Sequence, residues 1–200
     1  MIYAKNIAIP NWKELQRDLI DFKYSQGNDA LWWSYTEQEV KENLPILYKT
    51  LCDMGLHLRQ LIFFDNAPND LLVDDPNNER CLFIHTDSED KEDSLGTPQP
   101  DEIEFSTDFN PEFAINIPLE NCENSLTLWY ELLDKEQAGV HYPKYDCGGH
   151  DPKNCKEVYR FELTQPAVLR INAPHAVHNP HTELRTVATM RFYTDLSYLL

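Results

Sequence analysis

Phe83-Ile84-His85-Thr86-Asp87 closes an apolar run and sets an imidazole and a carboxylate two residues apart. In an extended strand, residues i and i+2 point to the same side. With Cys81, Phe83, His85 and Asp87 alternating against Leu82, Ile84 and Thr86, His85 and Asp87 project together, as two ligands of one metal ion do. A third ligand is needed. The stretch Ala173-Pro174-His175-Ala176-Val177-His178-Asn179-Pro180-His181 offers three histidines for that place.

A chain of 200 residues, 42% of them hydrophobic, suits one well-packed domain and is short for two. Aromatic residues make up 12%, so a globular core is expected despite a formal charge of −17. That charge, with no cluster of Lys and Arg, argues against nucleic-acid and anionic-membrane partners and leaves neutral or cationic ones. Five scattered cysteines, no charged-then-apolar leader and no apolar run of membrane length lead us to expect a reduced, soluble, cytoplasmic protein.

The first third reads as helical. Asn11 with Glu14 three residues on is a cap signal for a helix carrying Trp12, Leu15, Leu19 and Phe22, with Gly27 as its stop. Thr36 to Glu39 is a capping-box signature, and Pro45 suits the first turn of a further helix that closes at Gly55. From Leu56 the apolar period shortens to that of strands, expected over residues 56–64, 83–87, 113–119, 125–131, 157–163, 166–173 and 184–192. The acidic segment 87–104 reads as a solvated loop, or as a lid selecting a cationic substrate. Helices followed by about eight short strands indicate a sandwich or barrel with helices on one face.

On a strand His178 faces away from His175, and His181 falls in the turn, so His175 is the preferred third ligand. If the last turn is centred on Pro180, positions 175 and 185 are equidistant from it. Arg185 then lies opposite His175, with Cβ atoms about 5 Å apart. A guanidinium beside a metal-bound imidazole calls for an anion, and its planar fork suits a carboxylate. Arg191, at even spacing from Arg185, is the alternative anchor or a partner in an ion pair. His141, Cys147, His150 and Cys155 raise a zinc site, but Cys-x2-His-x4-Cys fits no common structural spacing.

Two histidines and one carboxylate form the facial set of non-haem Fe(II) oxygenases. In the order His85-x-Asp87, His175 and Arg185, the chain resembles the 2-oxoglutarate/Fe(II)-dependent dioxygenase superfamily. The segments 114–125, Trp129-Tyr130 and 185–192 are similar to small oxygenases of bacterial viruses and marine bacteria, and 175–179 more distantly to aspartyl/asparaginyl β-hydroxylases. The resemblance spans residues 80–193 of a single 1–200 domain, with 1–79 as helical support and first strands. It implies a double-stranded β-helix (jelly-roll, cupin-like) fold that binds Fe(II) through His85, Asp87 and His175. Arg185 would take the far carboxylate of 2-oxoglutarate, with Asn116 as a second polar contact. With O2, such a site hydroxylates a small-molecule or peptide substrate, and a carboxylate at Asp87 favours hydroxylation over halogenation. Two alternatives stay open: a non-catalytic jelly-roll module, and a cupin-like metal enzyme without 2-oxoglutarate.

Overall fold

Apolar residues at helical spacing come first and β-alternation follows. The computed structural model describes residues 2–27, 32–66, 68, 73–74, 80–81, 84–87, 112–137, 139–142 and 147–200. The acidic stretch 88–104 and the side chains of Cys81, Phe83, His141 and Cys147 lie outside that description. A short strand β1 (Ala4–Asn6) precedes helix α1 (Trp12–Ser25), which buries Leu15, Leu19 and Phe22. Strand β2 (Trp32–Thr36) runs into α2 (Glu37–Asn43), and α3 (Pro45–Asp53) follows with Pro45 in its first turn. The Thr36 side chain accepts from the Glu39 N–H, and the Thr36 N–H donates to Glu39 Oε2 at 2.8 Å, closing the capping box. Asn11 does not cap through its side chain. Its φ of 54° puts it in the left-handed region, and its carbonyl instead accepts from Glu14 and Leu15.

The remaining strands are β3 (Leu58–Asn66), β4 (Val73–Asp74), β5 (Arg80–Cys81), β6 (Phe113–Glu120), β7 (Leu126–Leu132), β8 (Val140–Tyr142), β9 (Cys147–Gly149), β10 (Cys155–Glu162), β11 (Ala167–Arg170), β12 (His175–His178) and β13 (Arg185–Phe192). The fold is mainly β. An antiparallel six-stranded sheet has the order β1-β11-β6-β13-β3-β2, and a three-stranded one the order β10-β7-β12. The hairpins β4-β5 and β8-β9 stand apart from both.

The six-stranded sheet has two different faces. Leu61 and Phe63 of β3, Ile115 and Ile117 of β6, and Ala188 and Met190 of β13 pack with Leu19, Val40 and Leu51 of the helices. Each such buried Leu, Ile, Val, Phe or Met side chain contributes roughly 1.5–3 kcal/mol. The opposite face meets the smaller sheet through a second cluster that holds Trp129, Ala167, Leu169 and Val187. Alternation along β13 therefore turns Arg185, Val187, Thr189 and Arg191 toward the space between the sheets.

The hairpin expected around Pro180 does not form. Strand β12 pairs with β7 on one side and meets His85 on the other, while β13 sits between β3 and β6. All edges of both strands are taken, so the chain crosses from one sheet to the other between them. His175 consequently lies opposite Trp129 and His85, and Arg185 opposite Asn66. Asn179 fixes the crossover by donating to the carbonyls of Asn66 (2.9 Å) and Glu183 (2.8 Å). Among the described residues no helix is long and apolar enough to cross a membrane.

Candidate metal centre

His85 and His175 exchange two backbone hydrogen bonds, His85 N to His175 O at 2.9 Å and His175 N to His85 O at 2.8 Å. Such a reciprocal pair sets both side chains on one face, and the two rings lie 4.4 Å apart. His85 thus extends the small sheet by a single bridge, less than the full strand expected over 83–87. The Asp87 N–H bonds to the Ile171 carbonyl at 3.0 Å, which holds the carboxylate on the same side as His85. His85, Asp87 and His175 each offer a ligand atom, and these atoms lie within 4.8 Å of one another. It is the one group able to hold a metal ion found among the described residues.

Hydrogen bonds around the three side chains assign their roles. His175 Nδ1 lies 2.9 Å from the Ala173 carbonyl, so it carries the proton and leaves the Nε2 lone pair for a metal. Asp87 Oδ1 is 3.4 Å from His85 Nε2, while Oδ2 takes the guanidinium of Arg191 at 3.2 Å. Burial drives the His175 imidazole down to about 4, helped by the nearby His85 and opposed by Asp87. Burial would raise Asp87, but the His85 hydrogen bond and the charges of His175, His85 and Arg191 outweigh it and hold the acid well below the usual carboxylate range. At neutral pH the site therefore presents a neutral His175 and a charged Asp87, the protonation state a divalent cation requires.

Behind the ligands runs a row of rings across the small sheet. Tyr159, Trp129, His175 and His85 are neighbours in turn, at 5.8, 6.5 and 4.4 Å between centroids. Trp129 is fully buried and its indole N–H donates to the Arg170 carbonyl at 2.8 Å, so the wall against His175 is rigid.

On the facing sheet lies Arg185, only 2% exposed. One amino group donates to Asn66 Oδ1 at 2.6 Å, and its Nε has no partner among the described residues. Among the described residues no carboxylate pairs with it, and burial lowers its pKa against a small opposing effect of Cys122. Arg191 pairs with Asp87, as the ion-pair alternative for it had allowed, and its Nε is likewise unpartnered. Asn116, between Ala167 and Thr189, buries an Oδ1 without a donor. Among the described residues, Arg185 thus meets an amide and no carboxylate, while Arg191 is paired with Asp87 and Asn116 Oδ1 has no donor on the same sheet face.

Other sequence candidates go elsewhere. His178 is outside the metal group, and His181 Nε2 meets the Glu123 carbonyl in the crossover. His150 is absorbed by the ligand segment: its N–H donates to the Ile84 carbonyl and its Nε2 lies 2.8 Å from Thr86 Oγ1. A zinc role for it with Cys155 gains no support among the described residues. Asn66 escaped sequence reading, although its even spacing from Ile62 and Phe64 already placed it on the inner face of β3. The link between Thr86 and His150 had no sequence signal. Comparison with protein-family models finds no match to this chain, and comparison with curated proteins finds none either.

Proposed function

We propose that the chain is a non-haem Fe(II) oxygenase that couples decarboxylation of 2-oxoglutarate to succinate with hydroxylation of a substrate, on a jelly-roll frame. Two imidazoles and one carboxylate on a single face fit Fe(II) and leave positions open, unlike a closed structural zinc site. The observation that carries the reading is Arg185. Arg185 is buried and meets no anion among the described residues; an unpaired buried guanidinium costs several kcal/mol, a cost that makes sense where an anion binds. A metal enzyme using no carboxylate co-substrate has no need of it.

In this reading His85 and His175 bind the metal through ring nitrogens, and Asp87 supplies the one negative charge. Arg191 holds Asp87 Oδ2 and so turns Oδ1 toward the metal. Iron with 2-oxoglutarate and O2 supplies an oxidant able to hydroxylate an unactivated C–H bond. Arg185 receives the far carboxylate of the co-substrate, and Asn116 offers its amide as a further contact. Along β13 the two arginines are six residues apart, about 20 Å, and alternation turns both toward the space between the sheets. Trp129 and the sheets around it exclude water from His175. The net charge of −17 favours a neutral or cationic small molecule or peptide as substrate, away from nucleic acid and anionic membrane.

The test is O2-dependent formation of succinate from 2-oxoglutarate with Fe(II) present, screened against candidate substrates. Arg185→Ala raises the 2-oxoglutarate concentration needed at least tenfold. An unchanged requirement moves the anchor to Arg191.

A further inference from the structure

The contact that holds Arg185 is uncharged, and the chain had an acid beside it. Asp65 and Asn66 are consecutive on β3 and point to opposite faces. Asp65 turns toward the helices, where it accepts from Lys23 Nζ at 3.0 Å and from Thr186 Oγ1 at 2.6 Å. Asn66 turns inward and offers only an amide oxygen to the guanidinium, at 2.6 Å. Its backbone is fixed as well, because its carbonyl accepts from the buried Asn179 at 2.9 Å. The helix-side cation is thus neutralised by a carboxylate, while the inward-facing one is oriented by an amide and meets no carboxylate among the described residues.

We infer that Asn66 is a positioning residue that sets co-substrate specificity: it aims the Arg185 guanidinium without neutralising it, so that the site selects a keto acid bearing a second carboxylate. The inference rests on the proposed role of Arg185. An aspartate at this place would reach the guanidinium as a charged partner and compete with the incoming carboxylate, since an Arg-carboxylate pair in a buried site is stronger than an Arg-amide contact. Serine would keep an uncharged acceptor, and alanine would leave the guanidinium unaimed.

The experiment measures binding of 2-oxoglutarate and of pyruvate, which lacks the second carboxylate, to the Mn(II)-loaded full chain without O2, by calorimetry. Wild type prefers 2-oxoglutarate. Asn66→Asp weakens 2-oxoglutarate by about 10- to 100-fold, the loss of one charge-assisted contact, and leaves pyruvate unchanged. The metal-free Asn66→Asp protein also melts higher than wild type, because its buried cation is now paired. Asn66→Ser keeps the preference, and Asn66→Ala loses it several-fold with pyruvate unaffected, which tests the idea even where the aspartate variant does not fold. If wild type prefers 2-oxoglutarate and both Asn66→Asp and Asn66→Ala retain that preference, or if pyruvate weakens equally, the role of Asn66 is refuted while Arg185 keeps its own. If wild type shows no preference, the reading of Arg185 falls and takes this one with it.

Discussion

Replacing Arg185 by methionine should make the metal-free protein more stable and abolish its response to 2-oxoglutarate. The side chain is 2% exposed, and among the described residues it meets no carboxylate and donates only to Asn66 Oδ1. Removing that bond costs about 1 kcal/mol, since Asn66 is only half-buried and water can replace the donor. Removing a buried, uncompensated charge in favour of an apolar chain of similar length returns about 1–4 kcal/mol. The net gain is about 0–3 kcal/mol, and each kcal/mol raises Tm by roughly 2–4 °C for a chain of this size. The assay is a thermal melt of metal-free protein, repeated with Mn(II) and 2-oxoglutarate. In wild type, saturating ligand at 100 times Kd adds about 2.7 kcal/mol, whereas the variant should show no such increment beyond that of the metal alone. A metal-free variant that melts several degrees below wild type would refute the reasoning, because it would mean the guanidinium is already compensated.

Other consequences follow from the same geometry. His175 is pushed down to about 4 from an ordinary 6.5, so the unfolded chain binds a proton that the folded one refuses. Stability of the metal-free protein should therefore fall as pH drops from about 6.5 to 4, by up to about 3 kcal/mol, and level off below; His175→Asn should remove this slope in pH-dependent denaturant titrations. Asp87, lowered instead, adds its own loss at more acidic pH, below the ordinary carboxylate range, and Asp87→Asn should remove that second limb. Asp65→Ala leaves Lys23 with Thr186 Oγ1 and the more distant Glu120 carboxylate at 3.8 Å, and should cost about 1.5–3 kcal/mol in chemical denaturation. Leu19→Ala, at a fully buried site beneath the large sheet, should cost about 2–5 kcal/mol while leaving metal affinity unchanged in a Co(II) titration.

The two-residue period in His85-Thr86-Asp87 made the shared face of the two side chains legible, and His175 was preferred as the third member of the group because His178 faces away from it and His181 falls in the turn. What spacing does not encode is which strand edges remain free. The symmetry of residues 175 and 185 about Pro180 suggested a hairpin, but β7 and His85 already occupied both sides of β12, so Arg185 found Asn66 as its neighbour. Asn11 shows a second limit: the letters of a cap fit equally a residue in the left-handed region, which asparagine tolerates. Lys23 was hidden because a lysine on an amphipathic helix counts as solvent-facing until tertiary partners such as Asp65 and Thr186 bury it. Strand β2 was hidden because its five residues end in the capping box that opens α2. The elements that long apolar periods define were therefore readable, while those that depend on one long-range partner were not.

The most direct test of the central claim is anaerobic visible spectroscopy of the full chain, adding Fe(II) and then 2-oxoglutarate. A bound keto acid chelating iron held by His85, Asp87 and His175 gives a metal-to-ligand charge-transfer band. Wild type should show that band, and His175→Ala should lose it. No band in wild type, or an undiminished one in His175→Ala, would contradict the claim.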